Sequence, residues 1–153
     1  MLFRTHILIG FLLGLLALDI LDVENKFIFL IFTIIFSSFP DVDHEGSKIN
    51  NKLFFTKIFS FLFKHRGFVH SIFFALILFL IARRFGYYSA GYGVLVGYLA
   101  HLSADSLTRN GVRIFYPLFN FKIRGFIKTG GLIERMLFYC ILALTLLKIS
   151  NLY

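Results

Sequence analysis

Five histidines, His6, His44, His65, His70 and His101, and five carboxylates, Asp41, Asp43, Glu45, Asp105 and Glu134, carry most of the chemistry available to this chain. Neutral imidazoles combined with carboxylates suit zinc, manganese or iron. The lone cysteine, Cys140, lies deep in an apolar run, which rules out a thiolate zinc site. His101 and Asp105 stand four residues apart, so on a helix they share one face and reach the same ion. His6, Asp41-Val42-Asp43-His44 and His65-Arg66-Gly67-Phe68-Val69-His70-Ser71 add further donors. These candidates exceed the three or four ligands that one ion needs, which favours two or more metals. A pair of divalent ions polarises a phosphoryl oxygen and activates water near neutral pH. Lys64, Arg66 and Arg109 are the neighbouring cations, and arginine matches a phosphate through paired hydrogen bonds.

Taken singly, each segment also has a plainer reading: a polar turn, a helix-end hydrogen bond, or a basic cluster at a membrane interface. The elements that position them decide the matter. Of 153 residues, 58% are hydrophobic and 16% charged, with 22 Phe and no Trp, and the mean hydropathy is +0.82. A soluble domain has roughly 25% charged residues, so this chain has more apolar surface than one small core hides. Disorder is excluded by the same composition, and a disulfide scaffold by the single cysteine.

Five runs free of charged residues, 5–18, 27–40, 67–82, 85–104 and 136–147, predict five helices in a single domain over 1–153. Only the fourth, 20 residues long, reaches the ~20 residues of a membrane-crossing helix. The shorter ones suffice if polar residues at their ends face a shared internal site instead of lipid. Pro40 ends the second run, and Gly86 separates the third from the fourth. The first run follows Arg4 but has no small-residue cleavage motif after it, so it reads as mature structure. The expected fold is an all-α integral membrane bundle of about five helices.

With a cytoplasmic N-terminus and one crossing per run, only Lys26, Arg83, Arg84 and Lys148 of the 16 basic residues fall outside, so 12 collect inside. Successive helices alternate in direction, so the same topology brings all the ligand-type residues to the cytoplasmic end. The segment 52–64 predicts a helix lying in the headgroup region. The segment 110–131, opening on Asn-Gly, predicts a short hairpin or irregular flap.

The motifs Phe39-Pro40-Asp41-Val42-Asp43-His44, His65-Arg66-Gly67-Phe68-Val69-His70-Ser71 and Gly97-Tyr98-Leu99-Ala100-His101-Leu102-Ser103-Ala104-Asp105, with His6, Gly111, Pro117 and Glu134, resemble the YdjM family of LexA-binding, inner-membrane-associated hydrolases. The resemblance covers nearly the whole chain and implies a membrane-bound, metal-dependent hydrolase. That family is distantly similar to zinc-dependent phospholipases C and single-strand-specific zinc nucleases, all-helical enzymes with three metals. In them a His-x3-Asp pair supplies ligands, and His101 and Asp105 hold the corresponding positions. They also use an N-terminal Trp, which this chain lacks, so two metals are expected here instead of three.

On this resemblance His6, Asp41, His70, His101, Asp105 and Glu134 are the expected metal ligands, zinc foremost, with manganese or iron as alternatives. Asp43 or His65 would position or deprotonate the attacking water, and Arg66 would hold the phosphate. The expected reaction is cleavage of a phosphoester bond in a phospholipid or related substrate, at the inner membrane and on its cytoplasmic side. Membrane lipids are the expected partners. Nucleic acid ranks low, because membrane burial accounts for the Phe residues that would otherwise stack on bases. A transporter ranks low as well, since the ligands gather at one end. The rival reading is a non-catalytic membrane protein with a closed structural metal site that binds a cytoplasmic regulator.

Overall fold

The Asn25 side chain accepts a hydrogen bond from Ile28 N–H at 3.0 Å, and Ser71 Oγ caps a second helix by accepting from Phe74 N–H. Such caps satisfy amides that have no partner inside the helix. A computed structural model describes residues 1–44 and 68–150. Its helices are α1 (Phe3–Ala17), α2 (Lys26–Ser38), the short 3-10 helix η1 (Phe39–His44), α3 (Ile72–Arg84), α4 (Tyr88–Ser106) and α5 (Leu132–Ser150). Regular α-structure in α2 stops two residues before Pro40, as the missing proline N–H requires. Gly86, at φ +80°, makes the turn between α3 and α4 in a conformation that a side chain would resist.

The middle of the bundle is α4. It packs against α1, α2 and α3, while α5 packs against α1. Small residues make this possible. A Cβ added at Gly97 would strike the Thr33 carbonyl oxygen and the Ser37 amide on α2, and one added at Gly10 of α1 would strike the Ser37 side chain. The main apolar cluster joins Ala75 of α3 to Val94, Tyr98 and Leu102 of α4 and to Val112 beyond it, with Phe32, Phe36 and Phe39 packed alongside. Tyr98 is fully buried and donates its hydroxyl to the Val69 carbonyl at 2.9 Å, fixing the turn that precedes α3.

The expected helical class is observed, with no strand among the described residues. The segment between α4 and α5 is an irregular flap held by two isolated bridges, Thr108 with Ile127 and Val112 with Ile123. Gly111, at φ +62°, completes the Asn-Gly turn at its start. The 13-residue helices α2 and α3 measure about 20 Å at 1.5 Å per residue, against roughly 30 Å of hydrocarbon in a bilayer. No helix among the described residues is long and apolar enough to cross a membrane. The amphipathic helix expected within 52–64 lies outside the described residues, as do Glu45, Lys64, His65 and Arg66.

Candidate metal centre

His6 projects from the second turn of α1, Asp41 from η1, and His101 and Asp105 from the last turns of α4. One donor atom from each of these four lies within 4.8 Å of all the others. Ligands about 2.0–2.2 Å from a tetrahedral ion sit roughly 3.3–3.6 Å apart, so a small contraction of the group would complete such a shell. His6 Nε2 stands 3.3 Å from Asp41 Oδ2 and 3.2 Å from Asp105 Oδ1, and His101 Nε2 stands 3.6 Å from Asp105 Oδ2. The two imidazoles stack with centroids 4.3 Å apart. The α-amino group of Met1 reaches Asp105 Oδ1 at 2.8 Å.

A backbone group sets the orientation of His101. Its Nδ1 is 3.0 Å from the Ser37 carbonyl oxygen, near the end of α2. Pro40 has no N–H to offer that oxygen in the 3-10 pattern, which leaves it free for the imidazole. Donation from Nδ1 places the lone pair on Nε2, facing the Asp105 carboxylate. Two acceptors then face each other in a buried site, and His101 Nε2 has no hydrogen-bond partner. A buried acceptor without a donor is costly, and a cation between the donors removes that cost. Imidazole and carboxylate donors also fit a borderline divalent ion. The four residues could therefore hold a metal ion.

His70 lies at the edge of this group. Its Nε2 is 3.7 Å from Asp41 Oδ1, the oxygen turned away from His6, and its ring is 5.4 Å from that of His101. Burial works against the charge of Asp41, but the flanking His6 and His70 imidazoles outweigh it and hold the carboxyl well below the usual carboxylate range. The buried imidazoles are enclosed, whereas Asp41, Asp105 and His70 keep 19%, 15% and 15% of their side-chain surface open. The group is thus not fully enclosed.

Glu134 is placed differently from the sequence expectation. It is 1% exposed, and its two oxygens accept from the Leu2 amide at 2.7 Å and the Gly130 amide at 2.6 Å. It lies outside the four-residue group and ties the start of the chain to the first turn of α5. Asp43 belongs to η1, where its backbone alone is described, as for His44; His65 and Arg66 fall outside the described residues. The Ser37 carbonyl was not among the expected participants. Pro40 three residues downstream is the only sequence sign of it.

A helical bundle carrying a buried His/Asp group at one end defines a class by its architecture. Membership is settled by comparison: the chain belongs to the YdjM inner membrane protein family, whose model matches residues 1–151. It is 33% identical over 100 residues to the uncharacterised protein YvsG of Bacillus subtilis (strain 168), covering 63% of this chain and 62% of that one. It is 36% identical over 85 residues to the inner membrane protein YdjM of Escherichia coli (strain K12), covering 51% of this chain and 43% of that one. The chain therefore spans less than two thirds of these relatives. No solved structure matches it.

Proposed function

We propose that this protein is a membrane-embedded, metal-dependent hydrolase that cleaves phosphoester bonds of phospholipids or related substrates. The observation that carries this reading is the combination of the unpartnered, buried His101 nitrogen with carboxylates that keep part of their surface open. A structural metal site is closed, whereas a catalytic one keeps a position free. His6, Asp41, His101 and Asp105 would hold the ion, with zinc the best match to the donors, and His70, beside Asp41, would be a further donor if a second ion binds. When bound, such an ion polarises a phosphoryl oxygen and lowers the pKa of water. The chain's own part is to orient the donors: Ser37 sets the His101 ring, and Asp41 stays ionised beside two imidazoles. Asp43 or His65 would take the water's proton, and Arg66 would hold the phosphate.

Membrane embedding is supported by the family's inner-membrane description and by exposed apolar residues on three helices. Ile28, Ile31 and Ile35 of α2, Ile77, Leu80 and Ile81 of α3, and Met136, Leu144 and Leu147 of α5 are all exposed. The distribution of basic residues favours the metal-centre end facing the cytoplasm. Detergent-purified protein should contain a stoichiometric transition metal and hydrolyse a phospholipid ester in a chelator-sensitive way. His101→Ala should lose both. A variant freed of metal that still hydrolyses would overturn the reading, and stoichiometric metal without hydrolysis of any phosphoester would return the centre to a structural role.

A further inference from the structure

The flap between α4 and α5, residues 107–131, contains five cations, Arg109, Arg113, Lys122, Arg124 and Lys128, and no carboxylate. All five are exposed. Among them stand Phe115, Phe119 and Phe121, whose ring centroids lie 6.0–6.5 Å apart. They are 39%, 57% and 55% exposed, beside the similarly exposed Leu118 and Phe126.

This exposure does not come from a loose loop. Val112 and Ile127 are buried, the Ile72 amide donates to the Ile114 carbonyl at 2.9 Å, and the two bridges fix the base. With those residues committed inward, the Phe cluster must project outward. One foot of the flap is bonded to Asp105 and the other to Glu134, the carboxylate that also holds Leu2. The Thr108 hydroxyl and amide both donate to the Asp105 carbonyl, and the Gly130 amide donates to Glu134.

We propose that this flap is an interfacial anchor for an anionic lipid leaflet. Phe115, Phe119 and Phe121 enter the boundary between headgroups and acyl chains, while Arg113, Lys122 and Arg124 engage lipid phosphates. Charge complementarity selects this occupant, because a strip of cations without any acid needs an anionic surface. Exposed aromatic side chains at its centre need an apolar one. A single strand of nucleic acid fits less well: the three rings pack on one another, whereas base stacking needs free faces. The anchor holds the metal-centre end at headgroup level, and it does so whether or not that centre is catalytic.

The chain has no Trp, so Phe119→Trp introduces a single fluorescent reporter. The full-length variant is measured in detergent, in phosphatidylcholine nanodiscs, and in nanodiscs containing phosphatidylglycerol. The anchor predicts blue-shifted emission and quenching by lipids brominated near the headgroup, both larger with phosphatidylglycerol. Changing Arg113, Lys122 and Arg124 together to Gln should abolish that lipid preference without altering metal content. Leu118→Trp serves as a second reporter should Phe119→Trp fail to fold. Emission typical of water with full access to iodide in anionic discs would overturn the proposal. So would an equal response in both lipids, or a response only to added single-stranded oligonucleotide or to rising protein concentration.

Discussion

At the scale of single residues, two carboxylates at the same end of the bundle have different work. Asp105 faces His6 and His101, whereas Glu134 spends its oxygens on the Leu2 and Gly130 amides. Replacing Glu134 by Gln turns one acceptor into a donor aimed at an N–H, leaving a buried amide without a partner. Glu134→Gln should therefore lower stability by about 1–3 kcal/mol, read as a fall in thermal midpoint, with metal content retained. Loss of metal at unchanged stability would instead make Glu134 a ligand. The His101-x3-Asp105 pair was legible from spacing alone. The bracing role of Glu134 was not, because its partners are backbone amides, which every residue type carries alike.

The helices meet the centre through close approach, and Gly97 controls it. It lies one turn before His101 on α4, against Thr33 and Ser37 of α2. Gly97→Ala should separate α2 from α4, cost about 1–3 kcal/mol as an overpacking change, and weaken metal binding by moving the Ser37 carbonyl away from His101. Metal affinity measured by chelator competition checks this; an unchanged affinity would disconnect the α2–α4 spacing from the centre. The order of helices, their breaks at Pro40 and Gly86, and the irregular flap were all readable from apolar runs and turn residues. How the helices pack was not. Gly10, Gly93 and Gly97 sit inside apolar runs, where a glycine says only that something comes near. Which carbonyl comes near depends on the register of a helix far along the chain.

For the whole molecule, charge and hydropathy pointed to a membrane, and the family agrees in being described as inner membrane protein. The short α2 and α3 show why crossings cannot be counted from composition: exposed apolar faces and span length are separate properties. The proposed orientation puts the flap and the metal centre on the cytoplasmic side and the α3–α4 turn on the other. In intact spheroplasts of a variant lacking Cys140, an impermeant thiol reagent should label Arg84→Cys and spare Lys122→Cys. Labelling of Lys122→Cys alone would invert the topology.

The contact between Leu2 and Glu134 joins residues 132 positions apart, and it bears on how the protein is made. His6 is synthesised well before Asp105, and the brace at Glu134 follows later still. Contacts this distant in sequence form late. The set of four donors is therefore incomplete until α4 has been made and packed against α1 and α2, and an ion held by all four can be taken up only after that step.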